Sequence, residues 1–489
     1  MKIAVISRAG TAAAIVAAGL LVAGCQSAGP RSAAEYRADQ EEASNMRLVG
    51  FMPLQARSAY QPVVHQQGNR FIAYVGHHGG KPKINPLTGV VENNGTSIVD
   101  VTNPAAPKFL AHIAGQSGGT ESGGAQMVRL CNGSTLPKGD RNKVYMLRSF
   151  GNSAHEMWDV TNPEKPAMLN IIVRGLRDTH KNWWECDTGI AYIVSGVKGW
   201  HTRRMTQVYD LSDPAKPVHI RDFGLPGQEP GSKKPLPDNS VELHGPISAG
   251  VKGNRIFFGY GTARNGVIQI VDRAKLLDGP KDPTVENLLH PQISRVDSPA
   301  NWGAHTTLPI LGMRSAELNL FNEPKHRDIL AIVNESTSNE CREGRQMVYF
   351  MDITDNTRPM GISNFRVPEQ PAGYCSRGGR FGAHSSNENM PPMYDKRMLF
   401  IAYFNAGVRA VDIRDPYSPK EVGYYIPAIT QETDERCTKN PSGPSCKRVI
   451  QTNNVEVDDR GYIYIVDRAD TGMHILELTG SAREAANFK

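Results

Sequence analysis

The sequence is marked first by signatures it lacks. It has no GxSxG, phosphate-binding loop, dinucleotide fingerprint or HExxH, so nothing in it resembles a serine hydrolase, a nucleotide enzyme or a zinc protease. No stretch clusters Lys or Arg, which excludes the basic footprint of a nucleic-acid-binding protein, and the formal net charge is only +6. The 7 cysteines form no CxxC pair, so a thiolate metal site lacks its usual spacing. With 39% apolar and 21% charged residues, what remains is an ordinary globular composition.

What the chain has in abundance is one phrase. Ser97-Ile98-Val99-Asp100-Val101-Thr102-Asn103-Pro104, with Pro107, returns around Asp159, Asp210, Asp272, Asp352 and Asp412, and in degenerate form at Glu477. The steps between these acidic residues are 59, 51, 62, 80, 60 and 65 residues. Length alone would suggest several domains, but a repeat array can close into one. Before each copy stands an apolar run of strand length, such as Phe71 to Val75, Ile190 to Val194 or Leu399 to Tyr403. Continuous runs of this kind belong to strands covered on both faces. After each copy, Asn/Asp-Pro enforces a turn, since proline fixes φ and the Asx side chain bonds its own backbone. A more polar fourth strand follows.

Four-stranded units repeated radially make a β-propeller, so the expected fold is all-β: a seven-bladed β-propeller of four-stranded blades over residues 46–480. The seventh unit lacks a fourth strand, while Leu48 to Pro53 has no unit of its own. An N-terminal strand completing the last blade would therefore close the ring and leave fewer exposed edges. The repeats resemble the LVIVD-repeat family of bacterial and archaeal surface proteins. That resemblance implies a secreted or surface propeller and no particular reaction.

The N-terminus carries a second resemblance. Lys2 and Arg8 precede the uncharged run Ala12 to Val22, which is too short to span a bilayer well, and Leu21-Val22-Ala23-Gly24-Cys25 follows. This is similar to a bacterial lipoprotein signal peptide over residues 1–24, with Cys25 the acylated residue. Gln26 after the cysteine implies the outer membrane, on its periplasmic or surface side. Residues 25–45 then read as the lipidated cysteine and a flexible tether, and residues 481–489 as a polar tail. Removing Lys2 and Arg8 lowers the formal net charge from +6 to +4. In an oxidising compartment the six remaining cysteines default to disulfides. Their spacing favours Cys437 with Cys446, Cys341 with Cys375 and Cys131 with Cys186, among fifteen possible pairings.

Candidate chemistry lies on the segment before each apolar strand, which in a propeller lines the channel. Units five and six read Gly303-Ala304-His305 and Gly382-Ala383-His384; units three and four offer His180 and His244. Gln126, Asn453 and Gln61 occupy the corresponding places elsewhere, as a channel rim available to substrate or cofactor. Four imidazoles from consecutive blades suit one transition metal, Cu, Fe or Zn, with the amide side left open. Asp178 and Glu242 are candidates to orient the rings. His77 and His78, beside Gly79-Gly80, read as a surface loop. Two functions follow: a cell-envelope binding module presenting its channel mouth to an envelope protein or small ligand, and, as the alternative, a metal-dependent enzyme of the oxidoreductase class. Either is expected as a lipid-anchored monomer.

Overall fold

A computed structural model describes residues 37–233, 241–314 and 326–486. The signal segment 1–24 and Cys25 lie outside these. The described chain is all-β, arranged as successive antiparallel sheets. The first sheet orders Ala59–Gln67, Arg70–Gly79, Gly95–Asp100 and Lys108–Ala114, and the next four repeat this meander. The last sheet has nine strands: two four-stranded sets joined at the single pair Phe404–Thr452, plus one added strand. Among the described residues no helix is long and apolar enough to cross a membrane.

The continuous apolar runs have a simple cause. Successive side chains on a strand point to opposite faces, and each second strand is packed on both. Ile72 and Tyr74 join a cluster with Val128 and Met146 of the second sheet, while Ala73 and Val75 face Tyr464 and Val466 of the final set. Ala191 and Ile193 likewise face the second sheet, while Tyr192 and Val194 face the fourth. Leu399 and Ile401 pack toward the fifth sheet, with Phe400 and Ala402 toward the final set. Each of these apolar layers is thus shared by two consecutive sets of strands.

The repeat aspartates hold the turns. Asp100, Asp159, Asp210, Asp352 and Asp412 each accept the backbone N–H two residues on, at 2.8–3.0 Å. The following Asn103, Asn162, Asp213, Asp355 and Asp415 do the same one turn later. The fourth unit departs: Asp272 caps the helix Arg273–Asp278 by accepting from Lys275 N, and a second helix, Val285–Leu289, delays the fourth strand. That insertion contributes to the long step of 80 residues.

The strand Met46–Met52 pairs with Met473–Leu478 of the final set. It also touches the first unit, because a Cβ on Gly50 would lie 1.9 Å from the Pro104 carbonyl oxygen. Two segments differ from the sequence reading. Glu42–Ser44, assigned to the tether, forms an added strand on Lys420–Ile426, and Glu42 pairs with the buried Arg377. Gly480–Ala485, assigned in part to the polar tail, is a short helix that buries Ala482 and Ala486 against the last sheet. In both, a few apolar or pairing side chains decide the outcome within an otherwise polar stretch. Three disulfides form, Cys131–Cys186, Cys341–Cys375 and Cys437–Cys446.

Candidate metal centre

The Gly-Ala-His phrase shows how a histidine is brought inward. Gly303 passes so close to Thr262 that a Cβ would lie 2.0 Å from its carbonyl oxygen, and Gly382 adopts φ +152°. The alanine that follows is buried in each case, and the histidine then lines a cavity. His305 N and His180 N bond the Val333 and Val194 carbonyls at 3.0 Å, fixing both segments to the neighbouring strand. His244 lies on Leu243–Ser248 and His384 on Phe381–Ser386.

The structure brings His180, His244, His305 and His384 together around one cavity of about 210 Å³. All four are buried. The Nε2 atoms of His180 and His244 stand 2.9 Å apart, and the Tyr60 hydroxyl lies 3.3 Å from each. Ring centroids of His244 and His305 are separated by 3.3 Å, and those of His305 and His384 by 4.6 Å. The Glu335 carboxylate is 3.5 Å from His305 Nε2 and 3.7 Å from His384 Nε2. One ligand atom each from His305, Glu335 and His384 falls within a 4.8 Å group.

Protonation states fit a cation. Burial, reinforced by neighbouring imidazoles or arginines, pushes all four histidines well below their ordinary value, so each is neutral near pH 7. His384 Nδ1 donates to the Asn453 carbonyl, which leaves its Nε2 as the lone-pair atom facing Glu335. His180 Nδ1, His244 Nδ1 and His305 Nε2 have no hydrogen-bond partner among the described residues despite their burial. Two imidazole nitrogens 2.9 Å apart must share either a proton or a cation. Burial pushes Glu335 up, against the pull of Arg380 2.7 Å away. Glu121 is driven the other way: burial opposes its charge, but His78 and Arg468 hold it well below the usual carboxylate range.

The cavity wall also includes Arg203, Arg204, Arg380 and Arg468, and a wider vestibule of about 860 Å³ adjoins it. The amide candidates lie outside the cavity lining. Gln61 bonds Asn454, Gln126 donates to the Glu121 carbonyl at 3.2 Å, and Asn453 donates to the Tyr60 carbonyl at 3.1 Å. Asp178 and Glu242 pair with Arg203 at 3.0 and 3.3 Å and not with the imidazoles. His77 and His78 are no surface loop. The strand Arg70–Gly79 runs through them, pairs with Thr120–Ala125 and buries both. His78 Nε2 reaches Glu121 at 3.4 Å, on the rim of the same site.

Sequence reasoning missed Tyr60, Glu121 and Glu335. Tyr60 sits beside the chosen Gln61 on a strand whose register shifts between Ala59 and Pro62, so alternation could not tell which side chain faces inward. Glu335 follows the strand His326–Val333 two residues on, in a loop with no period to read.

The LVIVD-repeat family model matches residues 90–113 and 398–426. No curated protein matches the chain.

Proposed function

We propose that this LVIVD-repeat chain is a seven-bladed β-propeller of the cell envelope that holds one transition metal in its channel. The ring is closed by Met46–Met52 on the last blade, and a lipid on Cys25 anchors it, with the outer membrane as its site. Closure is supported by the apolar cluster that Met52, Ala73 and Val75 share with Tyr464, Met473 and Ile475.

The observation that carries the metal reading is the convergence of four neutral, buried imidazoles from four consecutive units, with Glu335 between two of them. Nitrogen donors with one carboxylate suit Cu, Fe or Zn. His180, His244, His305 and His384 would hold the ion, with Glu335 either joining them or orienting the His305 and His384 rings. Such an ion supplies Lewis-acid or one-electron chemistry. The chain itself supplies a buried hydroxyl at Tyr60, which burial keeps protonated, and arginines that orient a ligand small enough for the cavity. That donor set supports reading the protein as a metal-dependent enzyme, an oxidoreductase.

Purification without chelator or affinity nickel should yield about one equivalent of metal, lost in a His305→Ala/His384→Ala variant. No metal after attempted reconstitution would leave the loops and channel mouth as a docking surface for an envelope partner or small ligand, the reading the repeats alone support.

A further inference from the structure

One hairpin is built to hold apolar side chains in solvent. Lys83–Ile84 pairs with Val91–Glu92, which sets Ile84 opposite Val91. Ile84 is 61% exposed, Leu87 58%, Val90 54% and Val91 63%. Scattered single exposures mean little, but a contiguous group marks an interaction surface.

The hairpin is held by buried contacts. Asn85 is buried and closes the tip: its carbonyl accepts Gly89 N at 2.8 Å, its side chain accepts Leu87 N at 3.0 Å, and its N–H donates to the Val90 carbonyl at 2.8 Å. At the base the fully buried Arg57 donates to the Lys83 and Glu92 carbonyls and to Asn94 Oδ1, at 3.0–3.1 Å. Asn94 in turn donates to the His78 carbonyl at 2.9 Å, tying the hairpin to the wall of the vestibule.

The position of the hairpin identifies its partner. Lys81 and Lys83 line the vestibule of the channel mouth together with Gln431 and Glu432. The N-terminal chain enters on this same side, where Ile429 N donates to the Ala38 carbonyl at 2.8 Å. Cys25 precedes Ala38 by 13 residues, a reach of at most about 45 Å when fully extended. Tether, apolar hairpin, flanking lysines and channel mouth therefore share one face.

We propose that Ile84, Leu87, Val90 and Val91 dock on the surface of the bilayer that carries the chain, so that the channel mouth opens toward the membrane. This rests on the lipid-anchored part of the proposed function. Apolar side chains enter the headgroup boundary while Lys81 and Lys83 meet anionic lipid, the two terms that drive interfacial binding.

The test uses the chain from residue 25 onward with Cys25→Ser, so that neither a lipid nor the apolar run Ala12 to Val22 contributes, and vesicles of phosphatidylethanolamine and phosphatidylglycerol in a 3:1 ratio. The variant should co-sediment with the vesicles, and adding Leu87→Asp/Val91→Asp should lower the bound fraction tenfold or more without changing thermal stability. In a second variant, Leu87→Trp should shift its fluorescence to the blue on vesicle addition. Equal sedimentation of the two chains, no spectral shift, or a hairpin-dependent dimer that ignores vesicles would overturn the proposal. The anchor is judged separately by the mass of the Cys25 peptide from membranes of the unaltered chain; a missing acyl group would remove the tether, while the vesicle result still decides the hairpin.

Discussion

At the scale of single residues, the site turns on which groups are neutral and which are charged. Glu335 stands between two imidazoles and beside Arg380. Glu335→Gln keeps the shape and removes the charge, so metal affinity should fall about tenfold or more, as when the outer-shell partner of a ligand is lost. Titration calorimetry or competition with a chelator measures it, and unchanged affinity would remove Glu335 from the centre. The four histidines were legible because a repeated fold repeats its inward positions: once the blades are aligned, His305 and His384 fall in one column. The carboxylates and Tyr60 were not. Glu335 comes from a loop, and Tyr60 and Glu121 come from strands whose pairing register slips, where no period connects residue number to direction. The two glycines after His78 misled for a related reason. Glycine marks close backbone approach as readily as a loop, and at Gly79 a Cβ would lie 2.4 Å from the Gly118 carbonyl oxygen.

At the scale of elements, the repeated Asx turns predict acid sensitivity. For Asp100, Asp159 and Asp412 burial works against the charge, but turn hydrogen bonds and the neighbouring Arg70, Lys143 and Arg414 outweigh it and lower each carboxyl. A carboxyl that is lower in the folded state stabilises the protein above its unfolded value, near pH 4, and that contribution is lost as pH falls through the folded value. Replacing all three by Asn keeps the backbone acceptor and removes the titration. The triple variant should lose less Tm between pH 5 and pH 3 than the parent, by calorimetry; an equal loss would show that these turns do not govern acid stability. The turns themselves were plain in the sequence because Asp-x-Thr-Asn-Pro states both acceptors and the fixed φ. The fourth unit was not, since Asp272 lacks the proline and its side chain caps a helix instead.

At the scale of the whole molecule, the strand Met46–Met52 joins Met473–Leu478, more than 400 residues away in sequence. Gly50→Ala would set a methyl against the Pro104 carbonyl, and the strand must shift to relieve it. Its Tm should fall by several degrees, with metal content kept in the material that remains folded; an unchanged Tm would mean that the contact does not matter to closure. A buried ion pair ties two sheets elsewhere: Glu185 meets Arg273 at 2.6 Å. Arg273→Ala leaves that carboxylate uncompensated and should cost about 3 kcal/mol or more, read from denaturant unfolding. The all-β repeat architecture was legible from spacing alone, because each strand must cover two neighbours. Glu42–Ser44 was not, since three residues of added strand leave no pattern to read.

The central claim is that four imidazoles meet on one metal. The direct measurement is elemental analysis of the chain purified without chelator or affinity nickel, beside a His244→Ala/His305→Ala variant that stays folded. We predict about one equivalent of Cu, Fe or Zn in the parent and almost none in the variant. Equal metal in both, or none in the parent after reconstitution with each ion, would contradict it.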